Sequence, residues 1–234
     1  MPRGFLFSNG CLDCPLRREG DFCHLPSNLL TAFHEVGNLT IYPPYAVLLR
    51  EGMPVTGAHI ICSGRVKLSV LARDGKTVIL KVAGKRQVLG MSSVISGRPS
   101  PVEATTIESC QIKYVDGESF LRLVRNNGSV AMSVARLLSR EIGISFRDVH
   151  DLLLARSSTE KLARLLLSWA AKDGGSRDLR IDSEFTHEEI AQMIGSSRET
   201  VTRLLSDLKR RELIRLEGST LVIPNRVALE AIAS

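Results

Sequence analysis

The sequence predicts an α+β chain in which an N-terminal β-roll is followed by one long helix and a C-terminal winged helix-turn-helix. Short apolar runs separated by glycines fill residues 27–128, and an apolar period of three and four runs through residues 129–156. Two short amphipathic segments then flank Gly195. These patterns are typical of a β domain, of a helix that pairs along a seam, and of two helices joined at a turn.

The β domain is expected to follow a cysteine-bearing segment. Residues 1–26 are rich in cysteine, glycine, proline and charge and have no sustained apolar period, which predicts a cap or binding segment. Within residues 27–128, Asp74-Gly75 lies between two partly alternating runs, and this dipeptide is a strong hairpin signal. We therefore expect an all-β sensor domain.

Residues 129–156 are expected to form a dimerisation helix. The residues at the apolar period are Ala131, Ala135, Leu138, Ile142, Ser145, Val149 and Leu152. So narrow a seam predicts pairing with the same helix of a second copy. Leu137, Ile144 and Leu153 could widen the stripe, so packing against the chain's own core stays open.

Residues 157–234 are expected to form the winged helix-turn-helix. Thr186 and Glu189 have the spacing of a capping box, which predicts where a helix begins. Gly195 allows a sharp turn, and Ser196 or Ser197 caps the next helix. The apolar runs on either side of Glu217-Gly218-Ser219 then predict a hairpin wing.

The second helix of this unit carries the candidate site. If Ser197 is its cap, Arg198, Glu199, Thr202 and Arg203 lie on the side away from its apolar face. Arginine can bond two acceptors of guanine and glutamate can accept from the amino group of cytosine, so the predicted partner is double-stranded DNA. The plainer alternative is a helix cap with solvated arginines.

Charge and composition exclude several classes of protein. The net charge is +6, but residues 157–234 carry twelve basic and twelve acidic residues, so only the local cluster of six basic residues from Arg198 to Arg215 favours DNA. No apolar run approaches the roughly 18 residues of a membrane helix, and we expect a cytoplasmic protein. The five histidines are scattered without a partnered nucleophile, so no enzyme is predicted.

The segment IAQMIGSSRETVTRLL at residues 190–205 closely resembles the recognition segment of the CRP/FNR superfamily of bacterial transcription regulators. The order of β-roll, long helix and winged helix-turn-helix is also similar. The resemblance implies a cyclic-nucleotide-binding-like β-roll, a homodimer, an inverted-repeat DNA site and contact with RNA polymerase. The trio Arg198, Glu199 and Arg203 resembles that of the CRP branch, which implies TGTGA-like half-sites.

The resemblance argues against a cyclic nucleotide as ligand. In the cyclic-AMP branch an acid follows the glycine of the phosphate pocket, whereas Met91 follows Gly90 here. Pro101 stands where a serine is expected after Arg98-Pro99-Ser100. A bound ribose would therefore lack its carboxylate acceptor, which costs affinity.

The cysteines indicate a metal or redox site. Cys11, Cys14 and Cys23 share one segment with the spacing C-x2-C-x8-C, and such grouping in a cytoplasmic protein favours metal or thiol chemistry. Cys110 resembles the distal ligand of oxygen-sensing FNR-type regulators. The resemblance thus implies a 4Fe-4S cluster on Cys11, Cys14, Cys23 and Cys110 that senses oxygen or nitric oxide.

Other interpretations of the cysteines remain. A thiol or disulfide switch, a zinc site, or a ligand-binding β-roll without a cluster is compatible with the same residues. Cys62 matches no ligand position and is expected to be a small buried hydrophobe.

Overall fold

The computed structural model describes residues 11, 14, 22–23, 27–155, 157–170, 179–182, 185–218 and 220–233, which belong to two units. The first unit comprises the described residues up to 72 together with residues 79–143. The second comprises residues 73–78 and the described residues from 144 onwards. The boundary near residue 143 lies inside the predicted long helix.

The first unit is the predicted β-roll with helices around it. Its elements are α1 (Ser27–Glu35), β1 (Gly37–Tyr42), β2 (Val47–Leu49), β3 (Gly57–Ser63), β4 (Val66–Leu71), β5 (Thr77–Ala83), β6 (Val88–Leu89), α2 (Met91–Ser96), β7 (Glu103–Thr106), β8 (Cys110–Asp116), α3 (Gly117–Asn126) and the first part of α4 (Gly128–Leu154). The first two residues of β5 and the part of α4 after residue 143 belong to the second unit. The strands form two sheets, with orders β1-β8-β3-β6 and β2-β7-β4-β5.

The predicted hairpin joins β4 and β5. Gly75 in its turn has a φ of +81°, a conformation that glycine adopts without steric cost because it has no Cβ. The Asp74 carboxylate accepts a hydrogen bond from the Lys76 amide at 3.2 Å. Asp-Gly therefore marks the turn for the expected physical reason.

Two apolar clusters lie on opposite faces of the sheet that contains β3 and β8. The inner cluster, between the two sheets, is built on Leu49, Ile61, Val66, Ala83, Leu89, Ala104, Cys110 and Ile112. The outer cluster is built on Phe22, Leu30, Phe33, Ala58, Ile60, Met91, Val94, Val115, Phe120, Val130 and Val134. Helices α1 to α4 thus cover the outer face of this sheet.

Helix α4 confirms the predicted long helix but presents a slightly different exposed row. Val130 and Val134 are buried, and Leu138, which was expected on the seam, packs against the outer cluster. The exposed side chains at three-and-four spacing are Met132, Ala135, Ser139, Ile142, Phe146 and Val149. The row is therefore rotated slightly from the predicted seam, because Leu138 faces the chain's own core.

The second unit is a winged helix-turn-helix. Its further elements are α5 (Ser158–Ala170), β9 (Leu179–Asp182), α6 (His187–Ile194), α7 (Arg198–Arg210), β10 (Arg215–Glu217), β11 (Thr220–Ile223) and α8 (Arg226–Ala233). The three strands form one antiparallel sheet of order β10-β11-β9. The predicted wing is confirmed, whereas β9 and α8 were not predicted. None of the helices described in either unit has the length and apolarity needed to cross a membrane.

Candidate nucleic-acid interface and thiol cluster

Local side-chain chemistry sets the turn between α6 and α7. Thr186 and Glu189 form the predicted capping box at the start of α6. Gly195 ends that helix with a φ of +63°, which favours glycine. Ser197 caps α7 by accepting a hydrogen bond from the Thr200 amide at 3.2 Å. Of the two serines that were candidates for this cap, the structure selects Ser197.

The predicted reading residues share the exposed face of α7. Val201 and Leu208 are buried in the core of the unit, whereas all five predicted site residues are exposed: Ser197, Arg198, Glu199, Thr202 and Arg203. Arg198 and Arg203 are separated by about 7.5 Å along the helix axis, given a rise of about 1.5 Å per residue. The face is therefore open to solvent, and its two arginines can reach base pairs about two steps apart in one DNA groove.

The start of α7 lowers the pKa of the Glu199 carboxyl. Its interactions with its own backbone amide and with the Ser197 side chain are the main causes, and the charge of Arg198 adds to this effect. A carboxylate can accept but cannot donate hydrogen bonds. Glu199 is thus prepared to accept a hydrogen bond from a base amino group.

Thr202 has a structural role that the sequence did not predict. Its hydroxyl donates to the Arg198 carbonyl oxygen at 2.9 Å, so its oxygen remains as the acceptor for His187 Nδ1 at 2.8 Å. This contact joins the start of α6 to the middle of α7. The missed residue is His187, whose only sequence signal was its position directly after the Thr186 cap.

The basic residues of α7 and of its C-terminal cap differ in whether an ion pair neutralises their charge. Asp207 forms ion pairs with Arg210 and Arg211. Within the part of the chain that the structure describes, Arg198, Arg203 and Lys209 form no ion pair. These three side chains are therefore the cations most available to a phosphate backbone or a base edge.

At the expected position of the cyclic-nucleotide pocket, most side chains make contacts within the β-roll itself. The Met91 side chain is buried after Gly90, and Arg98 is exposed. The Ser93 hydroxyl donates to the Pro99 carbonyl oxygen at 3.4 Å and the Ser100 hydroxyl to that of Val102 at 2.7 Å. At the predicted position of the ribose acceptor there is thus an apolar side chain.

The three N-terminal cysteines are all half-buried. Cys11 and Cys23 pack against the outer cluster. Phe22 is fully buried, with its ring centroid 5.3 Å from that of Phe33 and 5.8 Å from that of Phe120. Because Phe22 is the neighbour of Cys23 in sequence, this aromatic packing fixes Cys23 on the outer face of the sheet.

Cys62 and Cys110 have different environments. Cys62 is half-buried rather than fully buried as expected, and burial, followed by the charges of Cys11 and Cys14, raises its pKa to about 11. Cys110 is fully buried in the inner cluster, and its thiol donates to the carbonyl oxygens of Arg65 at 3.3 Å and Glu108 at 3.2 Å. Burial raises the pKa of Cys110 to about 11 as well.

The predicted cluster ligands are therefore brought together only in part. Cys11 and Cys23 pack against the outer cluster, whereas Cys110 lies in the inner cluster. Among the described residues, no group of three histidine, cysteine, aspartate or glutamate side chains is already close enough to hold a metal ion. The donor set nevertheless has the thiol chemistry that iron-sulfur clusters and zinc require.

Comparison with protein families identifies two known domains. The model of the Crp-like helix-turn-helix domain matches residues 160–232. The model of the cyclic nucleotide-binding domain matches residues 39–127. The first match contains α6, α7 and the wing, and the second contains the β-roll.

The similar curated proteins are transcription regulators and not enzymes. The CRP-like cAMP-activated global transcriptional regulator of Mycobacterium tuberculosis is 28% identical over 215 residues, which covers 91% of this chain and 95% of the relative. The cAMP-activated global transcriptional regulator CRP of Haemophilus influenzae is 26% identical over 184 residues, covering 78% of this chain and 82% of the relative.

Solved structures share the same architecture. FixK2 from Bradyrhizobium japonicum has a TM-score of 0.73 at 21% identity, covering 85% of this chain and 98% of that chain. The c-di-GMP responsive regulator CLP of Xanthomonas campestris has a TM-score of 0.73 at 19% identity, covering 86% of this chain and 100% of that chain. At these identities the likeness shows the fold.

Proposed function

From the premise that this chain belongs to the CRP/FNR superfamily of DNA-binding transcription regulators, we propose that it is a homodimeric regulator whose DNA affinity responds to oxygen or nitric oxide. Two observations support the two parts of this proposal. The exposed row on α7 supports readout of a specific site, and the packing of Cys11 and Cys23 against the outer cluster, together with the spacing of the three N-terminal cysteines in the sequence, supports a sensor.

The DNA site is an inverted repeat with TGTGA-like half-sites. Arg198 and Arg203 each donate to O6 and N7 of a guanine, and the ionised Glu199 accepts from the amino group of a cytosine between them. Two copies of α7 in a dimer read half-sites about one helical turn apart. RNA polymerase is the further partner that the family resemblance suggests.

The sensor is a thiol-ligated metal centre at the N-terminal segment. When bound, a 4Fe-4S cluster supplies a centre that oxygen or nitric oxide degrades. The resemblance places its ligands at Cys11, Cys14, Cys23 and Cys110. Ligation holds the N-terminal segment against the outer cluster, which also contains residues of α4. The bound and released states of this segment then favour different amounts of the paired α4 helices.

Cyclic AMP is a second candidate signal, because the M. tuberculosis relative is named as cAMP-activated and aligns along most of this chain. The buried Met91 side chain is the observation against it, since a ribose hydroxyl would have no carboxylate there. Adding cyclic AMP to the protein in a DNA-shift assay decides between the two signals. We expect no change in affinity.

Two experiments test the proposed function. Anaerobic purification with iron, sulfide and zinc analysis should give brown protein with about four irons per chain. Colourless protein fully loaded with zinc would exclude the iron-sulfur centre and leave the zinc alternative. Selection from randomised duplexes should enrich TGTGA-like inverted repeats. FNR-type readers usually have an apolar residue at the position of Arg198 and take TTGAT-like half-sites, so enrichment of TTGAT-like half-sites would contradict the proposed role of Arg198.

A further inference from the structure

His187 is the first residue of α6, and its ring contacts the exposed face of α7. The side chain is exposed, and its Nδ1 lies 2.8 Å from the hydroxyl oxygen of Thr202. Thr202 is exposed on the same face as Arg198 and Arg203. The ring therefore lies beside the row of side chains that is expected to meet the DNA groove.

The Thr202 hydroxyl determines where the His187 ring carries its hydrogen. Thr202 has a single hydroxyl hydrogen, which it donates to the Arg198 carbonyl oxygen at 2.9 Å. Its oxygen is then left to accept from the ring, so Nδ1 of His187 carries a hydrogen. In a neutral imidazole the other nitrogen, Nε2, has no hydrogen and is an acceptor. A neutral His187 therefore cannot donate a hydrogen bond from Nε2.

Protonation changes what Nε2 can bind. A phosphate oxygen carries negative charge and accepts hydrogen bonds, so it gains nothing from an Nε2 without a hydrogen. One proton taken up from solvent places a hydrogen on Nε2, makes the ring a cation and leaves the bond from Nδ1 to Thr202 in place. Because histidine in model peptides titrates at about pH 6.5, such uptake belongs to the physiological pH range.

The place of α6 favours a phosphate rather than a base as the partner of this ring. In a helix-turn-helix the second helix enters the major groove, while the first helix crosses the sugar-phosphate backbone beside it. His187 belongs to the first of these helices and touches the second at Thr202. A contact with the backbone carries no base information and strengthens binding to every sequence.

The charged groups of the packed helices leave the ring open to an anion. On α6, Glu188 accepts a hydrogen bond from Gln192 at 3.3 Å, and Glu189 accepts one from the Thr186 amide at 3.0 Å. Within the described ranges neither carboxylate forms an ion pair with His187. The charged residues that the exposed face of α7 and helix α5 add are Arg198, Glu199, Arg203, Glu160, Lys161 and Arg164.

We propose that His187 is a proton-dependent phosphate contact, through which the DNA affinity of this chain rises as the pH falls. Each contact takes up one proton from solvent at Nε2 and forms one hydrogen bond from Nε2 to a phosphate oxygen. The proposal rests on the DNA-binding part of the proposed function and is independent of the signal that the N-terminal segment senses. It adds acidity as a second input to the same DNA-binding surface.

The test measures DNA affinity by fluorescence anisotropy from about pH 6 to about pH 8 at constant salt, with the full chain purified anaerobically. For the unaltered chain, affinity for both a TGTGA-like and a scrambled duplex should fall at least about tenfold over this range, because the ring loses its second proton. His187→Arg stays charged and should bind tightly at both ends of the range, whereas His187→Gln should bind weakly at both. His150→Gln is the matched control, because it replaces an exposed histidine of α4 and should keep the unaltered pH dependence.

The same measurements separate failure of this contact from failure of DNA binding. Equal pH dependence in the unaltered chain and in both His187 variants would overturn the proposal while DNA binding stands. A pH dependence confined to the TGTGA-like duplex would assign the ring to a base and would overturn the phosphate contact. Absence of binding to either duplex at every pH would contradict the proposed function and this proposal together. Thermal unfolding of each variant at both pH values is the folding control.

Discussion

At the scale of single residues, the basic side chains on and directly after α7 differ in whether they form ion pairs. Arg210 and Arg211 pair with Asp207, whereas Arg198 and Lys209 are exposed and have no ion pair within the described residues. Arg198 lies in the first turn of α7, where an inserted helix meets base edges. Lys209 lies in the last turn and is placed for phosphate contact.

These positions predict different effects of two substitutions. Arg198→Val should weaken binding to a TGTGA-like duplex by about 1–3 kcal/mol of binding free energy, because one bidentate contact with guanine is lost. The substitution should also shift preference towards a TTGAT-like duplex. Lys209→Ala should weaken all duplexes almost equally and reduce the slope of log affinity against log salt by about one. Fluorescence anisotropy over a salt series measures both effects. Equal losses on both sites for Arg198→Val would contradict base readout.

His59 predicts a pH dependence of stability. Its side chain is 6% exposed, its ring centroid lies 5.0 Å from that of Tyr114, and burial lowers its pKa from 6.5 to about 4. The unfolded chain therefore takes up a proton near pH 6.5 that the folded chain takes up only near pH 4. His59 therefore leaves the free energy of unfolding unchanged above pH 6.5 and lowers it as the pH drops towards 4.

The expected loss between pH 7.5 and 5 is roughly 2 kcal/mol of unfolding free energy. Urea unfolding at these two pH values measures it, and His59→Phe serves as the comparison because it retains a ring beside Tyr114. The variant should lose less stability over this range than the unaltered protein. Identical losses in both proteins would show that His59 does not cause the effect.

At the scale of elements, α4 combines two faces with different partners. Val130 and Val134 pack in the chain's own core, while Ile142, Phe146 and Val149 are 57%, 72% and 52% exposed. A row of large exposed apolar side chains at three-and-four spacing is the surface that a second helix covers in a coiled coil. Because superfamily members usually act as dimers, this row is the expected dimer contact.

Substitutions on this row should separate the dimer. Ile142→Glu or Phe146→Glu would bury two carboxylates per dimer in an apolar seam, so the dimer dissociation constant should rise at least about tenfold and DNA affinity should fall with it. Arg147→Glu is the matched control, since Arg147 is exposed beside the row and should change dimerisation little. Sedimentation velocity over a concentration series measures the effect, and an unaltered dimer in Phe146→Glu would exclude the assigned face.

The elements differ in how well the sequence predicts them. The α6 cap, the Gly195 turn and the β4–β5 hairpin depend on local side-chain and backbone chemistry, so they could be predicted from short motifs. Strand β9 has four residues and acquires its partner, β11, from about forty positions further along the chain. Such a pairing depends on tertiary contacts that leave little local signal.

The candidate site shows the same division. The reading face of α7 follows from helix periodicity once the Ser197 cap is identified, and all its residues are where the sequence predicts them. The β-bulge at Cys62 could not be predicted from the sequence, because it depends on how β3 pairs with β8, whose register shifts between Ile61 and Ser63. The location of Cys110 in the inner cluster likewise depends on the register of β8.

At the scale of the whole molecule, the N-terminal thiols and α4 share one structural context. The outer cluster joins Phe22, Cys11 and Cys23 to Val130 and Val134 of α4. A centre that holds the N-terminal segment on this cluster therefore adds contacts at the base of the helix whose other face carries the dimer row. Under the proposed function, ligation would order this base of α4 and would thereby favour dimerisation.

One acidic residue of α4 is paired within the first unit. Glu141 forms an ion pair with Lys81 of β5, so its charge is partly neutralised within the first unit. Ser145 is exposed beside the row and carries no charge.

The most direct test of this account is the affinity for one TGTGA-like inverted-repeat duplex before and after loss of the metal centre. Anaerobically reconstituted protein and the same sample after air exposure and removal of iron are titrated by anisotropy at one salt concentration, with a scrambled duplex as control. The account predicts that the loaded form binds the specific duplex at least about tenfold more tightly, or about 1.4 kcal/mol. Equal affinity of the two forms, with full iron in the loaded sample, would contradict it.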